Sequence, residues 1–183
     1  MTPALCFRAI SVLLAASLLA GAAAQSEVSG TIQGTLGGEE RTWYTIRQET
    51  PEKTANTAEW SVMPADIYAI SIQGHREERF AVEGTLNLEF TFFGLPEECP
   101  CTPGDAHIIY FATSISQDLY EAEDPEVTLR ELEVVDDETL RLAGEFRATL
   151  YYRADMMSEL DLDESLEVEG TFEVTASLFE LNF

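Results

Sequence analysis

Glu97-Glu98-Cys99-Pro100-Cys101 gathers the residue types best suited to chemistry in this chain. Two thiols one residue apart allow a disulfide between Cys99 and Cys101, provided their Cα atoms come within about 7 Å. So small a ring would be strained and easily reduced, as a redox pair is, and would add little stability. With His107 six residues on, the two thiolates also form a set suited to soft metals, copper or zinc. The same cysteines could link two chains. The plainest reading is an inert pinch in a loop, because the motif is short and the flanking sequence lacks the βαβ pattern of thioredoxin-like oxidoreductases.

Other chemistries find less material. The chain has two histidines, His75 and His107, and no Gly-x-Ser-x-Gly element, so a Ser-His-Asp arrangement is not indicated. His75 falls in the charged stretch Gly74-His75-Arg76-Glu77-Glu78 and reads as a solvent-exposed side chain. Paired carboxylates are abundant, yet the aromatics that would hold a sugar, Trp43, Tyr44, Trp60, Tyr151 and Tyr152, read as packing residues. Glu159 to Ser165 resembles the opening of a calcium loop, but Leu166 stands where the loop needs glycine and Phe172 where it needs its last glutamate. At most a loose calcium site remains there. No catalytic constellation is identifiable, and the expectation is a non-enzyme with no required cofactor.

The elements that must position these residues are strands. Val28-Ser29-Gly30-Thr31-Ile32 sets a pattern of apolar, polar, Gly, polar, apolar. Val82-Glu83-Gly84-Thr85-Leu86, Leu142-Ala143-Gly144-Glu145-Phe146 and Val168-Glu169-Gly170-Thr171-Phe172 repeat it at uneven spacing, so it is recurrent strand chemistry and not a solenoid. Alternation of period two marks strands with one buried and one wet face. Glycine on the apolar face signals a bend or a close backbone approach.

Strands are expected at Val28–Leu36 and Arg41–Arg47, joined through Gly37-Gly38, and at Glu59–Met63, Ile67–Gln73, Phe80–Phe93 and His107–Thr113. Three more follow at Val127–Val135, Thr139–Arg153 and Leu166–Phe183. Gln48 to Thr57 and Gly94 to Ala106 read as loops. Ser114 to Glu126 reads as an acidic connection with room for a helical turn around Ser116 to Glu121. If the last two strands pair, arginine and glutamate meet across the ladder. The fold expected is all-β: an antiparallel sandwich or flattened barrel of about 8–10 strands.

Residues 1–24 read as a signal peptide. Arg8 supplies the positive start, Ala9 to Ala20 the apolar run, and Ala22-Ala23-Ala24 the small-residue cleavage signature, placing the cut between Ala24 and Gln25. Residues 25–183 form a single domain, with no later run able to span a bilayer as a helix. The style of leader points to a bacterial, extracytoplasmic setting, periplasmic or secreted. A formal net charge of −24, with 10 Lys and Arg against 34 Asp and Glu, excludes nucleic acid and anionic lipid as partners. The role expected is a binding or structural module for an unknown protein or small-molecule ligand. Alternatives are a thiol- or metal-handling protein using the Cys-Pro-Cys loop, and a small outer-membrane barrel, suggested by the alternation Phe179, Leu181, Phe183.

Overall fold

The structure, a computed structural model, describes residues 25–49 and 54–179, which are all strand and connection without a helix. Eleven strands follow in chain order: β1 (Gln25–Leu36), β2 (Glu39–Glu49), β3 (Thr54–Asn56), β4 (Ala58–Met63), β5 (Ile67–Gly74), β6 (Thr85–Phe93), β7 (Asp105–Phe111), β8 (Gln117–Ala122), β9 (Glu126–Asp136), β10 (Thr139–Asp155) and β11 (Asp161–Leu178).

The ladder closes on itself. β4 to β8 form a meander, β8 pairs with β10, β10 with β11, and β11 returns to β4. Two arms extend this ring. β1 takes the edge of β11 from Val168 to Val174 and carries β2 and β3; β9 takes the edge of β10 from Thr139 to Arg147. Each arm is tied back by one bridge, Tyr44 of β2 to His75 and Leu129 of β9 to Cys101. The inward alternates, among them Ile32, Trp43, Ile70, Leu88, Phe90, Leu142, Leu150 and Phe172, merge into one core. Fully burying each such side chain contributes about 1.5–3 kcal/mol, which makes the apolar faces the driving term.

The ladder departs from expectation in several places. It has eleven strands, and β4 meets β11 in parallel through Ser177–Glu59 and Leu178–Trp60. The acidic connection after β7 forms β8 rather than a helical turn, because Leu119 and Tyr120 find partners in Phe111 and Tyr110 across the ladder. Thr54 to Asn56 of the expected loop pair with β2; residues 50–53 lie outside the described residues.

The strand expected from Phe80 begins only at Thr85, because Gly84 takes a left-handed φ of 76°. Its carbonyl accepts the indole N–H of buried Trp43 at 2.9 Å, so this glycine turns the chain and anchors the core together. Gly34 and Gly170 face each other directly between β1 and β11. A Cβ on Gly34 would lie 2.7 Å from the Gly170 Cα, so only bare backbone lets these strands cross so closely.

Candidate functional site: a polar groove across four strands

The wet alternates of β9, β10, β11 and β1 fall into rows because all four strands are in register. Glu126, Arg147, Glu169 and Thr35 form one row; Thr128, Glu145, Thr171 and Gln33 form the next; Ala143, Glu173 and Thr31 form a third. The backbone crossing at Gly34 and Gly170 bends the face, and a hollow of about 420 Å³ opens over the first two rows. It shares Thr171 with a hollow of about 250 Å³ over the third row. At the other end it shares Glu126 and Thr128 with one of about 590 Å³, walled by Thr102 to Ala106 and by Glu123 to Pro125. The three make one open groove.

The groove is acidic, with its cations engaged. Arg130 pairs with Glu145, Arg147 stands 4.0 Å from Glu169, and Arg141 pairs with Glu133 beside it. Arg147 and Glu169 meet directly across β10 and β11, as the alternation implied. Asp105, Glu123, Asp124, Glu126 and Glu173 line the groove with no ion-pair partner among the described residues. Threonine hydroxyls supply both donors and acceptors along its length. Nothing in this lining offers a nucleophile held by a base; it offers hydrogen bonds and negative potential.

The cysteine loop borders the groove without forming a metal set. Cys99 and Cys101 are half-buried against the core and not joined to each other. Burial, reinforced by the neighbouring Cys99, pushes the Cys101 thiol up to about 12, which disfavours the thiolate that redox exchange or metal binding needs. The backbone of Cys101 bonds Leu129 in both directions at 2.9 Å and thereby pins β9.

His107 turns elsewhere: its Nε2 lies 2.7 Å from Glu121, whose other oxygen holds Arg153. No three His, Cys, Asp or Glu side chains gather as a metal set among the described residues. Thus the combination of Cys99, Cys101 and His107 is not assembled, because β7 directs the imidazole toward β8. Ala24 lies outside the described residues, while Gln25 opens β1 opposite Glu49.

His75 is not exposed but 3% accessible, since its bridge to Tyr44 draws it under the turn that follows. Its Nδ1 lies 2.6 Å from the Ala81 carbonyl, so Nδ1 carries the proton and donates; Nε2 is buried without a partner. Burial holds its pKa below the ordinary histidine value, partly opposed by that hydrogen bond.

Trp43 and Trp60 belong to the core, as the packing reading expected. The groove itself escaped sequence reading because its threonines and glutamates look like any solvated face. Only the cross-strand register collects them.

Comparison of the chain with protein-family models, with curated proteins and with solved structures finds no match.

Proposed function

We propose that this chain is an exported bacterial β-sandwich or flattened barrel, cut between Ala24 and Gln25, that acts as a non-enzymatic binding module through the groove. One observation carries the reading: two hollows run together over four paired strands and share a border with a third beside β7 and the β8–β9 connection, with acceptor groups in excess of free cations. An open, elongated, acidic channel suits an extended basic segment of a partner protein, whose side chains would alternate along the rows. A polyanion is repelled. The all-β fold supports the module reading, and the leader residues support export. The outer-membrane alternative needs a continuous outward apolar band; here most large apolar residues point into the main core, Ile109, Phe111 and Leu119 form a second small cluster, and Glu, Thr and Arg line the outer face of β10 and β11.

The test is a calorimetric titration with a ten-residue peptide of alternating lysine and serine. Saturable binding, weakened about tenfold by Glu126→Gln with Glu169→Gln, supports the groove. Binding should fall as salt is raised. Absence of binding, or stronger binding of a heparin fragment, contradicts it. Cys99→Ser with Cys101→Ser leaves peptide binding unchanged on this reading and abolishes function if the thiols are the site. Intact mass of the exported protein tests the processing: a chain starting at Gln25 without bound metal is expected, and a copper- or zinc-laden one would move the function to the cysteine loop.

A further inference from the structure

The outer face of β4, β5 and β6 carries a separate hollow of about 310 Å³. Register lays it out. Glu59, Ser71 and Glu89 form one row, and Ser61, Ala69 and Thr91 form the next. Serine and alanine at the centre are too short to fill the face, so its floor is low. Phe179, 49% exposed, and Met63 supply apolar walls. Two carboxylates thus stand at one end of an otherwise largely apolar depression.

Neither carboxylate has a cation partner among the described residues. No arginine or histidine lies within ion-pairing distance of Glu59 or Glu89 among the described residues. His107, the cross-strand neighbour of Glu89, is bonded to Glu121 instead. Glu89 accepts the Asn87 side-chain amide at 2.8 Å. Burial lifts the Glu59 carboxyl above its ordinary range, against a smaller opposing hydrogen bond from the Asn56 backbone. A carboxylate drawn from water beside apolar surface is stabilised by a cation brought to it.

We propose that this hollow binds an organic ammonium ion with an apolar substituent, its charge between Glu59 and Glu89 and its body against Phe179, Met63 and Ala69. Aromatic surface beside carboxylates suits such an ion, since the ring face attracts a weakly hydrated cation. A calcium ion asks for six or more oxygens, which two separated glutamates and apolar walls do not supply. A neutral apolar guest would leave both carboxylates desolvated, and a second copy of a chain carrying −24 is repelled.

The test is an NMR titration of the protein with benzyltrimethylammonium, alongside neutral benzyl alcohol as the matched control. Saturable shifts centred on Glu59, Ser71, Glu89 and Phe179 are expected, with the neutral analogue at least about tenfold weaker. Glu59→Gln with Glu89→Gln, which keeps shape and removes charge, should weaken the ion about tenfold or more. Affinity should also fall as pH drops through the raised Glu59 pKa, because the bound ion requires the ionised form. Ser71→Leu should fill the floor and abolish binding; if that variant fails to fold, the double glutamine variant decides. No saturable shift, equal binding of benzyl alcohol, or undiminished binding to the double glutamine variant overturns the proposal. The basic peptide addresses the other face, so either site can fail without the other.

Discussion

Two faces of one ladder are built from the same alternation and differ in how far their acids are paired. Across β9, β10, β11 and β1, arginines stand among the glutamates: Arg130 with Glu145, Arg141 with Glu133, Arg147 with Glu169. Across β4, β5 and β6, Glu59 and Glu89 have none among the described residues. The chain has 10 Lys and Arg for 34 acids, so where the few cations sit decides which acids are compensated. The first face is long and polar and suited to hydrogen bonding along its length. The second is compact and partly apolar, and neither of its two carboxylates is paired among the described residues.

The largest break in this comparison should come from Gly170→Val. Any Cβ there meets the backbone of β1, 2.9 Å from the Gly34 Cα, so the strands must part and the groove face loses its bend. A loss of about 3 kcal/mol is expected in denaturant unfolding, with peptide binding lost and the second hollow intact wherever the fold survives.

His75 sits where the β2 arm is tied to the end of β5. Its folded pKa is lowered, so the unfolded chain binds more protons below its ordinary value of 6.5. Stability should therefore be fully present above that pH and decline as pH falls from there toward the folded pKa. His75→Gln should flatten this part of a thermal-midpoint profile. An unchanged slope would show that Nε2 is not a liability in the fold.

Glu59 has the opposite sign. Its raised folded pKa means the native protein binds more protons just above pH 4.5, so its contribution is present below that and declines as pH rises. Glu59→Gln should raise the melting midpoint slightly at neutral pH, whereas an equivalent Glu169→Gln change, which removes an ion-pair partner, should not. The smallest effect belongs to Arg147→Ala. At an exposed, 4.0 Å pair it should cost less than about 1 kcal/mol, readable only by a double-mutant cycle with Glu169.

Much of the ladder was legible because period-two alternation encodes strand and face at once. The rows of β10 and β11 and the meeting of Arg147 with Glu169 follow from it. The glycine pattern was only partly legible. Gly144 lies under the Phe172 ring and Gly170 against β1, both close approaches, but Gly84 turns the chain through a positive φ that no local pattern distinguishes. His75 looked exposed because its neighbours are charged; the long-range bridge to Tyr44 buries it. The strand β8 was missed because its pairing with β7 outweighs local propensity in a stretch rich in Asp, Ser and Glu. The two hollows were invisible for a related reason. Each is assembled from short or charged residues on different strands, and only register and the backbone crossing bring them together.

Whether the two faces take different ligands is read by mapping amide shifts with both probes on one labelled sample. The lysine–serine peptide should move Thr128, Glu145, Glu169 and Thr171, and benzyltrimethylammonium should move Glu59, Ser71, Glu89 and Phe179, each leaving the other set in place and neither displacing the other. Overlapping shift maps, or displacement of one probe by the other, would contradict it.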